Sequence, residues 1–326
     1  MHIPDGYLSP ATCATLYATA APFWYVALRR VSRQIGTRLI PLLSVFAAFS
    51  FVVMMFNLPL PGGTTGHAVG VGIAAIVLGP WAAMLAISVA LLIQAVFFGD
   101  GGITALGANC FNMAIAGSLV AYASYRLLAG GAAAKSRRRV VAAGLAGYLS
   151  INVAALLAAV EFGIQPMLFK DAAGAPLYAP YPLHIAIPAM MIGHLTIAGL
   201  AEMMVTAGLV AWLQKSHLSL LNVPSGWQAT RPLLAGLTVL LLLTPLGILA
   251  VGTAWGEWAP SQLKTVPAGL ERLSSVWTAP FPAYAPSLLH RPWLGYLLSA
   301  AFGIGLILLT ALVAGWALAR RRRRRQ

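Results

Sequence analysis

The sequence predicts an all-α polytopic membrane helix bundle, with a seven-segment body whose N-terminus lies outside and two further C-terminal transmembrane helices. Three observations predict it. Apolar residues make up 60% of the 326, only 9% are charged and the mean hydropathy is +0.82, a composition suited to lipid rather than water. Apolar runs of roughly 20 residues, enough to cross about 30 Å of hydrocarbon, recur along the chain. Basic residues cluster at alternate ends of those runs, as cytoplasmic loops require.

The spans follow in order. The first, 11–28, ends in Arg29, Arg30 and Arg33, and the second, 39–58, begins after Arg38. That short basic loop is expected in the cytoplasm, which places Met1 and the 59–66 turn outside. Residues 67–79 form a Gly-rich run that crosses thinly or re-enters, and Pro80-Trp81 starts a return segment to Phe98. The run 103–128 goes inward to Arg126, Lys135, Arg137, Arg138 and Arg139; 140–162 returns, 163–186 is an outer loop, and 187–214 crosses to Lys215 and His217. A polar linker, 216–231, divides the body (1–215) from a C-terminal domain, 232–326, with spans at 232–252 and 294–319 and an outer loop 253–293. The tail Arg320 to Arg325 is cytoplasmic and suited to anionic lipid headgroups. Of the 21 basic residues, only Lys170, Lys264, Arg272 and Arg291 fall outside.

Several function classes drop out. A net charge of +14 points to nucleic acid only when basic clusters are interleaved with aromatics, and these are not. No Gly-Lys dipeptide occurs, so a GxxxxGK[ST] phosphate loop is absent; HExxH and a Ser-His-Asp set are missing too. The chain is therefore not expected to be an enzyme and has no ATPase site of that kind. Cys13 and Cys110 each stand alone in an apolar segment and are packing residues. The start has no Lys or Arg and carries Asp5, unlike a cleavable signal, so Met1 is expected to keep its free amine.

That amine makes the first nine residues, Met1-His2-Ile3-Pro4-Asp5-Gly6-Tyr7-Leu8-Ser9, the candidate metal site. The Met1 amine, the His2 amide nitrogen and the His2 imidazole can close a five-membered and a six-membered ring on one ion, all through nitrogen. Because the amide must lose its proton, the set favours ions with tetragonal nitrogen coordination, Ni(II) and Cu(II) above the others. His67, in the turn Pro61-Gly62-Gly63-Thr64-Thr65-Gly66-His67, is the candidate fourth ligand, on the same side by charge counting. It is expected in the first turn of its helix, with Thr64 or Thr65 as N-cap. Pro4 and Asp5-Gly6 supply turn chemistry that folds the end back.

Other polar residues have two readings each. Glu202 lies mid-span with His194 two turns before it: either a proton relay or a hydrogen bond holding two helices together. Asn109 and Asn112 either orient ligands or pack helices. Asp5, Asp100, Glu161, Asp171, Glu257 and Glu271 form an outer acidic rim that raises local cation concentration or is merely solvated.

The start motif, the turn Gly62-Gly63-Thr64-Thr65-Gly66-His67 and the stretch Gly101-Gly102-Ile103-Thr104-Ala105-Leu106-Gly107-Ala108-Asn109 resemble the CbiM/NikM family over residues 1–215. These are substrate-specific membrane components of energy-coupling-factor transporters for nickel or cobalt. The resemblance implies ligation by Met1, His2 and His67, and partners in the form of a transmembrane coupling subunit and cytoplasmic ATPase subunits in a bacterial inner membrane. The segment 232–319, with Thr244-Pro245-Leu246-Gly247 and Val266-Pro267-Ala268-Gly269-Leu270-Glu271, is similar to the two-span accessory component carrying a Pro-Asp-Gly-Leu-Glu signature; Ala268 stands where that signature has Asp. The expected function is ATP-driven capture and uptake of nickel, or cobalt. The alternatives are an ion-coupled secondary transporter running on Glu202 and His194, and a membrane scaffold.

Overall fold

The structure, a computed structural model, describes residues 1–34, 39–216, 226–285 and 291–323. Arg38, His217, residues 217–225 of the expected linker, and Arg324 and Arg325 of the tail lie outside the described residues. The chain runs through α1 (Pro10–Gln34), α2 (Leu39–Met54), a hairpin of β1 (Leu58–Leu60) and β2 (Thr64–Gly66), α3 (Val71–Leu78) and α4 (Pro80–Ile93). Then come α5 (Leu106–Asn109), α6 (Gly117–Ala129), α7 (Arg137–Leu168), α8 (Leu183–Gly193) and α9 (Gly199–Ser216). The C-terminal region holds α10 (Gly226–Leu243), the short α11 (Ala268–Ser274) and α12 (Pro292–Arg323).

Among the described residues six helices are long and apolar enough to cross a bilayer: Pro80–Phe98, Leu106–Ala129, Arg137–Leu168, Leu183–Lys215, Pro232–Leu249 and Pro292–Trp316. The all-helical membrane bundle is thus as the composition predicts. α3 settles the open question about 67–79: eight residues rise only about 12 Å, so it does not cross. It lies instead in the middle of the bundle against α4, α6, α7 and α9. Its Gly72 meets Gly147 of α7 and Thr206 of α9 so closely that no Cβ fits.

Local chemistry sets the joints. Gly79, at φ 77, breaks the chain between α3 and Pro80, which opens α4 as a first-turn proline. Ser136 caps α7 by accepting from the Arg139 amide. Gly62 and Gly63, both at positive φ, turn the hairpin, pairing Leu58 with Gly66 and Leu60 with Thr64.

Three membrane helices contain a π segment: Gln94–Phe98 after α4, Cys110–Ala116 between α5 and α6, and His194–Ala198 between α8 and α9. Each starts at or beside a polar residue (Gln94, Asn109, His194), the kind of local widening found at functional sites. Of the expected outer loop 253–293, the described part up to residue 285 is folded down onto the bundle. Trp277 donates to the Val96 carbonyl at 2.9 Å, and the Phe281 amide to that of Phe97 at 2.9 Å.

Candidate metal centre

The nine N-terminal residues are buried rather than frayed. Met1, His2, Ile3, Tyr7, Leu8 and Ser9 are each at most 3% exposed. Burying Ile3, Tyr7 and Leu8 favours the inserted loop by about 1.5–3 kcal/mol apiece, enough to offset ordering of a short chain end. Polar contacts then fix its register on the 101–109 stretch. The Ile3 amide donates to Asn109 Oδ1 at 2.8 Å, and Asn109 Nδ2 donates back to the Ile3 carbonyl at 3.1 Å. Asp5 accepts from the amides of Ile103 (3.1 Å) and Thr104 (2.7 Å) and from the Thr104 hydroxyl. Gly102 donates to the Ile3 carbonyl at 2.8 Å, and a Cβ on it would run into the Asp5 backbone nitrogen. Asp5 is therefore a clamp for the loop.

This seat brings the predicted donors together. His2 Nδ1 lies 3.3 Å from His67 Nε2, with ring centroids 5.0 Å apart. His67 Nδ1 donates to the Ala68 carbonyl at 3.1 Å, which leaves the Nε2 lone pair facing His2. Burial pushes the His2 pKa down to about 4 and, with the neighbouring His2 and terminal charges, that of His67 down to about 3. Both rings are neutral at physiological pH and able to ligate. The cause differs from expectation. Thr64 and Thr65 belong to β2, α3 begins only at Val71 with Gly70 as its N-cap, and His67 sits in the connecting segment. Desolvation, rather than a helix dipole, keeps it uncharged.

Two buried atoms at this point have no hydrogen-bond partner, His2 Nε2 and Gln94 Oε1, although the Gln94 amide lies beside the His2 ring. Gln94 Nε2 is committed to Asp100 Oδ2 (3.2 Å) and to the Tyr284 hydroxyl (2.9 Å), so its orientation is set. In the ion-free state the proton on His2 Nδ1 points at Asp100 Oδ1, 3.1 Å away, and two acceptors face each other. An ion at Nδ1 forces the ring proton onto Nε2, where Gln94 Oε1 can accept it.

Sequence reasoning placed Asp100 and Glu257 only on an acidic rim; both reach the centre. The Met1 amine pairs with Glu257 Oε1 at 3.0 Å. The metal-binding atoms of His2, Asp100 and Glu257 all lie within 4.8 Å of one another. Gln94 and Tyr284 were not singled out at all. Tyr284 and its neighbour Ala283 hold left-handed backbone (φ 61 and 52), a costly conformation that sets the Tyr284 hydroxyl 2.5 Å from Asp100. The visible signals were Asp100 amid Gly99, Gly101 and Gly102, and Glu257 between Trp255-Gly256 and Trp258.

For Glu161, Asn112 and the intramembrane pair the contacts are those of helix packing. Glu161 is buried in α7 and accepts from Asn112 Nδ2 at 2.7 Å, so neither faces the ion donors. Glu202 caps α3: its carboxylate accepts from the amides of Val69 (2.8 Å), Gly70 (2.8 Å) and Gly72 (3.0 Å). His194 donates from Nδ1 to the Met190 carbonyl at 2.8 Å and borders a small cavity shared with Met1. Among the described residues no hydrogen bond joins His194 to Glu202.

The family description of CbiM, cobalt uptake substrate-specific transmembrane region, matches residues 2–220. The chain belongs to the CbiM family. It is 57% identical to the fused nickel transport protein NikMN of Rhodobacter capsulatus, over 94% of this chain and 95% of that one. It is 33% identical to the cobalt transport protein CbiM of Geobacter sulfurreducens, over 77% of this chain and 71% of that one. A crystal structure of a transition metal transporter superposes with a TM-score of 0.62 at 50% identity, covering 66% of this chain and 93% of that one. This CbiM-family chain is thus a multi-pass membrane protein of a transporter family. The CbiM match includes His2, His67, Asp100 and Asn109, whereas Glu257 and Tyr284 come from the part of the chain beyond it.

Proposed function

We propose that this chain captures nickel, with cobalt as the second cargo, as the substrate-binding subunit of an ATP-driven importer. The ion is held by the Met1 amine, the deprotonated His2 amide, His2 Nδ1 and His67 Nε2. The observation that carries this reading is the 3.3 Å approach of His2 Nδ1 to His67 Nε2 beside a buried free amine, on a loop whose Ile3 peptide Asn109 grips from both sides. The nitrogen set and its planarity favour nickel over cobalt, and the R. capsulatus relative is named for nickel.

In this reading residues 1–215 form the capturing body and 232–326 an accessory domain that brings Glu257 and Tyr284 to the site; the expected cytoplasmic linker, 216–231, is helical from Gly226 on. The N-terminus faces outward and the Arg-rich end inward. With no phosphate loop of its own, the chain draws energy from cytoplasmic ATPase subunits through a transmembrane coupling subunit.

The experiment compares bound nickel in the purified chain with its native start and with one residue added before Met1. An added residue moves the amine and opens the fused rings. The native chain is expected to hold one nickel and the extended chain to lose it; equal nickel in both refutes the ligand set. ATP-independent nickel uptake by the chain alone in liposomes refutes the importer assignment.

A further inference from the structure

A cavity of about 340 Å³ opens between the hairpin end of the bundle and the C-terminal region, lined among others by Asn57, His67, Asp100, Glu257, Tyr284 and Tyr296. Of the ligand set just proposed, His67 lines it, and Met1 and His2 lie behind Glu257 and Asp100, their partners in the wall. These donors are closed off: Met1 is 3% exposed, His2 1% and His67 5%. The carboxylates above them are not. Asp100 and Glu257 are each 17% exposed, and their oxygens reach the same small volume as His2 Nδ1. Each already contacts one of these donors, Glu257 the Met1 amine and Asp100 the neutral His2 ring. Asp100 is further held by Gln94 and Tyr284, so it is a fixed, not a free, charge.

We propose that Asp100 and Glu257 form an entry site, where a hydrated divalent cation is first held before it passes to the nitrogen ligands. The proposal rests on the nickel-capture reading and extends it to a path. A hydrated dication is drawn to paired negative charge in a low-dielectric mouth and can be held there by carboxylate oxygens while it keeps most of its waters. His2 Nδ1 lies 3.1 Å from Asp100 Oδ1 and 3.3 Å from His67 Nε2, so this one atom is shared by the two stages. The same carboxylates serve the loaded state. After loss of the amide proton the nitrogen site keeps a net positive charge, and a buried charge needs a partner. Glu257 belongs to the region beyond the CbiM match, so the C-terminal region contributes a charged group to the ion path itself.

The test is stopped-flow nickel loading of the purified full chain with its native start, using nickel sulfate. The Asp100→Asn, Glu257→Gln double variant is expected to load at least about tenfold more slowly, and its rate to depend less on ionic strength. A second measurement needs no variant. On the native chain, excess Mg²⁺, which prefers oxygen ligands, should slow nickel loading more than monovalent salt at equal ionic strength. A double variant that loads at the native rate with the native salt dependence overturns the proposal, as does Mg²⁺ acting no differently from monovalent salt. Failure of the native chain to take up nickel at all would instead overturn the function on which the proposal stands.

Discussion

Two buried polar constellations lie within this bundle, and they differ in what their atoms lack. At the N-terminus of α3, the Glu202 carboxylate is saturated, with three backbone amides and the Thr206 hydroxyl around it. At the terminal loop, nitrogen donors converge from Met1, His2 and His67, and two buried atoms remain without partners. A carboxylate at membrane depth reads as a relay or as a hydrogen bond holding helices together, and the contacts of Glu202 are of the second kind, capping α3 from α9. Satisfied groups hold structure, whereas convergent and unsatisfied ones wait for a ligand.

The comparison can be broken most directly at His67. His67→Ala removes one of four donors from a site of about 10 kcal/mol and is expected to weaken nickel about 10³-fold, near 4 kcal/mol, by isothermal titration. A loss under tenfold would mean that the two imidazoles do not share an ion. Glu202→Ala should act on the other axis, leaving buried amides uncapped at a stability cost of about 3 kcal/mol. Its thermal midpoint should fall sharply while nickel affinity per folded chain changes less than threefold; an intact midpoint with abolished transport would restore the relay.

Asn109→Ala sits between the two. It touches no ion, but it frees the Ile3 peptide, and a 10–100-fold loss of nickel affinity is expected. The smallest effect is one of pH. Burial holds the His2 and His67 pKa values at about 4 and about 3, below the 6.5 of an unfolded histidine. The unfolded chain therefore binds protons first. Stability of the ion-free protein, full above pH 6.5, should decline as the pH falls toward those values, by up to about 1.4 kcal/mol per pH unit for each ring. Thermal scans in chelator from neutral pH to about pH 4.5, within that window, check this, and His67→Ala should flatten the slope.

Much of the site was legible because part of it is covalently local. An amine, an amide and an imidazole in Met1-His2 are neighbours in any conformation, so their chelating chemistry can be read before any fold is known. His67 needed one more step, charge counting along the chain. Its environment escaped that step, since the hairpin that ends at Gly66 and the late start of α3 depend on pairing between strands rather than on local propensity.

The helical membrane bundle could be read from sequence alone, because hydrocarbon thickness and backbone hydrogen bonding leave a chain of this composition one way to cross a bilayer; the expected crossings at 11–28, 39–58 and 67–79 are not among the six long apolar helices of the described residues. Only tertiary structure decided that Glu202 caps a helix, that Asp5 clamps the terminal loop and that Asp100, Gln94, Glu257 and Tyr284 meet at the donors. Those meetings join residues as far apart as Met1 and Glu257, and a contact of that span is set by packing, which leaves no trace in the local pattern of either partner.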